Sequence, residues 1–338
     1  MHNTYKLALL CAFSTCTAFA AQADTHNHSI VDDHAPIGVM GEHVHKAGEW
    51  MTSYRYSRMD MKGNRDGTSN QTAAQVHNNF MVAPLEMDMQ MHMFGLMYGV
   101  TDELTVMGMA PYVQKSMKHV NRAGRHFSTK TRGIGDVKIS GLYKFYEHAD
   151  ANQSGTALLN FGVSLPTGSV DERDTTPLGY QKLPYPMQLG SGTVDPKLGL
   201  TYTHSHTDWS FGGQVSTVIR FGDNSENYRL GNEYNATTWI SKTLADWISV
   251  SARLDGKNWG DIKGRDTDLN ANMVPTARTD LRGGTRVDAL LGVNLYQPQG
   301  TLKGHRLALE VGAPIYQHLD GPQLQTGFRT TIGWQKAF

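Results

Sequence analysis

Cysteine is almost missing: the 338 residues hold 2, Cys11 and Cys16, both close to the N-terminus. That excludes a disulfide scaffold, a cysteine zinc site and a cysteine nucleophile from the rest of the chain. Excess charge is missing too, with 31 Lys+Arg against 31 Asp+Glu, which leaves no electrostatic footprint for nucleic acid. Charged residues make up only 18%, under the usual ~25%. Beyond the N-terminus no run reaches the ~18 apolar residues of a spanning helix, so a helical membrane protein is ruled out. Nor is there a convincing helical period after Glu49.

What is present starts with a secretory signal over residues 1–23. Lys6 supplies the positive region, Leu7 to Ala20 the apolar one and Ala21-Gln22-Ala23 the cleavage site, with Ala18-Phe19-Ala20 competing. Residues 24–48 form a His-rich segment, expected to be periplasmic. Over 49–338, apolar and polar residues alternate with period two, as in strands with two unlike faces. Leu307, Leu309, Val311, Ala313 and Ile315 alternate with Arg306, Ala308, Glu310 and Gly312. Such strands suit a soluble sandwich or a membrane barrel.

The spacing decides between them. Strands are predicted at 49–60, 82–99, 104–117, 135–147, 156–167, 193–204, 209–221, 233–244, 247–259, 284–297, 305–316 and 325–338. Several match the roughly 9–11 residues that cross a bilayer at a tilt. The links are alternately short, as at Ala245-Asp246, and long and polar, as at 168–192 and 260–283. Short periplasmic turns and long outer loops are how outer-membrane barrels are built. Trp50, Trp209, Trp247 and Trp334 fall at the short-turn ends with Tyr98, Phe145 and Tyr296, forming one girdle at the headgroup level. The expected fold is all-β: a transmembrane antiparallel up-and-down barrel of about 12 strands in the outer membrane, with both termini periplasmic. Its partners would be the lipid bilayer, lipopolysaccharide and the insertion machinery, which reads the terminal Phe338 as an assembly signal.

Three segments in order carry a family resemblance: Gly133-Ile134-Gly135-Asp136-Val137, then Leu165-Pro166-Thr167-Gly168, then Leu189-Gly190-Ser191-Gly192-Thr193-Val194-Asp195-Pro196. They resemble a family of proteobacterial outer-membrane barrels, transporters similar to a protein of the phenol meta-degradation pathway. The likeness covers about residues 130–338. Ala35 to Gly41 and Asn64-Arg65-Asp66-Gly67 look like a Met/His-rich branch of that family. The resemblance implies a passive pore without naming its solute.

If apolar positions face lipid, their neighbours face the lumen. That assigns Arg55, Lys138, Lys197, Arg220, Arg253, Arg286, Arg306 and Arg329 to the interior, with Glu86, Asp88, His92, Asp255, Asp288 and Glu310. Such a lumen is either an anion-biased conduit or a network of paired charges. Of the 16 methionines, 13 lie between Met40 and Met117. Met87, Met89, Met91, Met93 and Met97 share one strand face. Thioethers suit Cu(I), but a stripe facing lipid cannot hold an ion cheaply, so these read first as packing residues. His26, His28, His34, His43 and His45, with Met40 among them, read as metal-binding by composition. Cleavage after Ala23 would leave Asp24-Thr25-His26, four nitrogens in a plane that suit Cu(II) or Ni(II). No cofactor is otherwise required. Asp266-Thr267-Asp268-Leu269-Asn270 opens like a calcium loop but lacks the glycine and glutamate such a loop needs. The chain therefore reads as a non-enzymatic outer-membrane channel for a small solute, linked to copper or another soft metal. The alternatives are a metal-sequestering or structural barrel and, behind these, an acyl hydrolase, for which no Gly-x-Ser-x-Gly elbow is present.

Overall fold

The computed structural model describes residues 34–338; His26, His28, the signal and the Asp24 terminus lie outside the described residues. No described helix is long and apolar enough to cross a membrane. The wall consists of β1 (Trp50–Gly67), β2 (Val82–Gly99), β3 (Leu104–Asn121), β4 (Val137–Ala149), β5 (Gln153–Leu165), β6 (Asp195–His206), β7 (Trp209–Val218), β8 (Glu233–Ala245), β9 (Ile248–Trp259), β10 (Gly284–Tyr296) and β11 (His305–Ala337). Each pairs antiparallel with the next. The last run folds back on itself. Its first half pairs with β10, from Arg306 opposite Tyr296 to Leu319 opposite Gly284. Its second half pairs with β1, from Leu324 opposite Asn64 to Ala337 opposite Met51. Arg306 donates to Gln335 and the Trp334 indole to His305 across the two halves. The closed wall therefore has twelve staves, as the spacing predicts. Closure removes every sheet edge, which is what lets strands cross a bilayer.

The stretch His126–Ile134, expected as loop, is a strand paired with the upper part of β3. It stands above the apolar band, so its Ser128, Lys130 and Arg132 are polar whichever way they point, and alternation gives no signal there. The short turns, the start of β1 and the end of β11 gather at one end of the barrel, and the long loops at the other. At the terminal end Trp50 packs on Tyr98, the rings tilted with centres 4.4 Å apart, and Phe338 N–H donates to the Trp50 carbonyl at 2.8 Å, sealing the seam. Leu291, Leu307, Ile315 and Ile332 stand out from the wall, exposed. On β1 the outward residues run from Trp50 through Tyr54 and Tyr56 to the charged Arg58. Eight residues at ~3.3 Å each, tilted, give an apolar height of roughly 20 Å, near the ~25 Å of outer-membrane barrels.

Candidate functional site

The lumen is filled from both ends. Residues 34–48, expected to hang free as a periplasmic lead-in, lie inside the barrel instead. Ala35, Ile37 and Val39 are buried, and Ala35 and Val39 pack on the inward-facing Trp239. The wall holds the segment by its backbone. Arg306 donates to the Ala35 carbonyl (2.7 Å), Arg55 to Ile37 (3.2 Å), Gln214 to Met40 (3.0 Å) and Asn160 to Gly41 (2.9 Å). Thr105 accepts from His45 N–H at 2.7 Å. Buried carbonyls need such partners, and donors from staves all round the barrel supply them. Gly38 passes close to the wall: a Cβ there would press on the side-chain ends of Glu310 and Arg253.

The long loops fold over the other end. Lys115 donates to the carbonyls of Pro186 and Gln188, and Tyr185, Tyr228 and Ile262 from three loops pack together. Lys182 reaches Glu226 and Asp266, each at 2.6 Å. Burial pulls the Lys182 ammonium down, but Asp266 and Glu226 outweigh it and hold it above its ordinary range. Asp266, the would-be calcium ligand, is thus spent as a counter-ion between loops.

Between segment and loops lies a cavity of about 810 Å³. It is lined by Met89, Met91 and Met93 of β2 and by the cations Lys138, Lys197, Arg220, Arg253, Lys257 and Arg329. Much of this charge is paired. Arg253 grips Glu310 through two bonds of 2.6 and 2.9 Å, and Arg329 bridges Asp255 and Asp288, which Arg286 also reaches at 3.1 Å. Arg220 joins Asp195 and Glu233. Lys138 and Lys197 have no ion pair among the described residues.

Three expected lumen residues are on the other face. Glu86, Asp88 and His92 point outward, above or at the edge of the apolar band. Arg58 pairs with Asp88 at 2.7 Å, Lys118 with Glu86, and His92 with the Tyr54 hydroxyl at 2.7 Å. The methionine stripe is accordingly not in lipid but inside: Met87, Met93 and Met97 are buried. Methionine is as apolar as a lipid-facing residue, so comparing the two faces of β2 misleads. The upper half of its outer face stands clear of lipid and is polar, while Phe94 and Leu96 carry the lipid contact. The signal that finds the correct face is Tyr98. A girdle residue points outward, so Met97 beside it points in.

Within the segment, His34 Nδ1 and His43 Nδ1 lie 3.4 and 3.0 Å from Glu42 Oε1, and the three donors fall within 4.8 Å of one another. Two tetrahedral ligands at ~2.05 Å from a metal sit about 3.3 Å apart, so the spacing fits an ion. Glu42 carries no signal in the sequence, because a lone carboxylate is ordinary in a polar segment and only the fold brings it between the two histidines. Burial pushes its carboxyl up, but His43 and His34 outweigh that and hold it well below the ordinary range. His45 Nε2 sits 3.2 Å from His43 Nε2; burial, then His43 and His34, pull its imidazole down to about 4. Met40 does not join them and packs instead on Met51, Met97 and their neighbours.

The three family segments meet in space. Asp136 accepts from Gly168 N–H at 3.0 Å and Ser191 N–H at 2.8 Å, Thr167 donates to the Gly135 carbonyl at 2.7 Å, and Ser191 and Thr193 donate to the buried Asp195. A Cβ on Gly190 would sit 2.3 Å from the Gly168 carbonyl oxygen. Gly190→Ala is expected to cost about 1–3 kcal/mol by overpacking, read as a lower temperature for loss of the compact form on gels; an unchanged temperature would show that the junction yields.

A closed antiparallel barrel of twelve staves with a charged, occluded lumen is the architecture of an outer-membrane channel. The chain belongs to the family described as "Putative MetA-pathway of phenol degradation", whose profile matches residues 63–273. Among solved structures it is similar to the COG4313 outer membrane channel from Pseudomonas putida F1, at 15% identity and a TM-score of 0.60, over 88% of this chain and 98% of that one. A weaker likeness, 12% identity and a TM-score of 0.43 over 88% of this chain and 91% of that one, is to the translocator domain of the autotransporter NalP from Neisseria meningitidis. No curated protein matches the chain.

Proposed function

We propose that the protein is a passive outer-membrane channel for small organic anions, closed in this state by its own N-terminal segment, with turns and termini periplasmic. The observation that carries this is the cavity: Lys138 and Lys197 line it with no ion pair among the described residues, together with the apolar Met89 and Met91. A solute with an anionic group and an apolar body would find partners for both in this lining, and fixed cations in a narrow lumen select anions. Planar-bilayer measurements under a salt gradient should give a reversal potential on the anion side, moving toward zero in the Lys138→Ala/Lys197→Ala variant. A cation-side potential refutes the reading, and phospholipid hydrolysis by the same preparation would support the acyl hydrolase instead.

The His34–Glu42–His43 spacing favours a tie to metal. A divalent ion of the Zn(II) or Cu(II) class, for which two imidazoles and a carboxylate are a suitable set, would pin the segment shut. Zn(II) should then lower the conductance of the parent barrel and leave His43→Ala unaffected; equal responses would count against the tie.

A further inference from the structure

Methionines stand in register across three neighbouring staves at two levels of the lumen. At the terminal end Met51 lies opposite Met97, which lies opposite Met107. At the loop end Met61 lies opposite Met87, which lies opposite Met117. All six point inward, and five of them are buried, Met61 partly so. Each triad has one more methionine laid against it by a part of the chain that fills the lumen. Met40 of the N-terminal segment packs on the first cluster, and Met187 of the loop above is fully buried in the second.

Packing alone accounts poorly for this. The lipid face of the same barrel is built from Leu, Val, Ile and Phe, and none of these six methionines is on it. Methionine is flexible and specifies a packed interior weakly, so a wall needing only bulk has no reason to place three in one row, twice. Thioether sulfur is a neutral, soft donor that prefers Cu(I) to hard, hydrated cations. Cβ atoms of directly opposed residues are about 5 Å apart. Three sulfurs around one ion at ~2.3 Å, taking the metal–sulfur distance of thiolate sites as a guide, stand roughly 4 Å apart, within reach of those side chains.

We propose that the two triads are soft-cation sites, Met51/Met97/Met107 and Met61/Met87/Met117, each taking one Cu(I) or Ag(I) on thioether sulfur, with Met40 and Met187 able to close over the ion. The sites are independent of which solute uses the cavity, and of the nitrogen and oxygen donors of the N-terminal segment. Refolded full-length barrel carrying 13C-methyl methionine, titrated with Ag(I) in detergent, should show the methyl signals of both triads moving and saturating at two ions per barrel. In the His43→Ala variant, which lacks the nitrogen and oxygen site of the segment, Zn(II) should leave those signals in place. Met61→Leu/Met87→Leu/Met117→Leu keeps an apolar side chain of similar volume, so the barrel still assembles, and should bind one Ag(I) instead of two. Triad methyl signals that stay still at two equivalents of Ag(I), or a leucine variant that still binds two, would overturn the assignment. Conductance plays no part in this readout, so failure of the channel reading and failure of these sites are separate results.

Discussion

Deleting residues 34–47 is expected to raise the single-channel conductance of the refolded barrel several-fold, with assembly intact. The wall is closed by its own strand pairing, β1 against the second half of β11, and does not need the segment to form. The segment crosses the lumen on side-chain bonds from Arg55, Asn160, Gln214 and Arg306. Each is worth about 1 kcal/mol net, since water replaces it when broken, so together they hold the segment in place without making its removal fatal. Gly38→Val gives the same result by a gentler route. Its side chain would strike the Arg253–Glu310 pair, which cannot part without leaving a buried charge alone, a loss of roughly 3–5 kcal/mol. The segment is therefore expected to lift. Conductance steps identical to the parent in both variants would show that the loops, with Lys182 at their centre, set the closure alone.

The second large effect separates the two faces of the wall. Leu291 is 67% exposed near the middle of the apolar band, and an arginine there should cost about 2–4 kcal/mol and sharply reduce the heat-resistant folded form on gels. Ser216 lines the cavity, where an arginine joins other hydrated charges, so Ser216→Arg should assemble normally and change only conductance. Asn294 is not a suitable control, although it also faces inward: it is buried against Arg306 at 2.7 Å, and a second guanidinium there would have no room. Equal assembly of Leu291→Arg and Ser216→Arg would mean that the faces are assigned wrongly.

The facing was legible where one side of a strand is uniformly apolar and the other charged. Around Leu291 and Leu307 the outward rows are leucine and valine and the inward ones include Asp288, Arg306 and Glu310, and those signs agree with the structure. On β2 both faces are mixed, and methionine carries no information about whether its neighbour is a lipid tail or another sulfur. The pairing partner holds that information: Arg55 lies opposite Met93, and opposed residues share a face, so a lumenal arginine fixes a lumenal methionine. A strand read alone lacks this constraint.

The sequence by itself determined the barrel, its twelve staves, the aromatic girdle at the turn end and the cationic lining, because each follows from a period of two, a rhythm of link lengths or the parity of a residue. It also determined that His34 and His43 are available as ligands. Only the tertiary structure decided where residues 34–48 go, that Glu42 stands between the two histidines, that Asp136 joins three separated segments, and that six methionines from β1, β2 and β3 stand in two rows. Those contacts join positions far apart along the chain through strand register and lumen shape, and neither quantity is a property of any local stretch of residues.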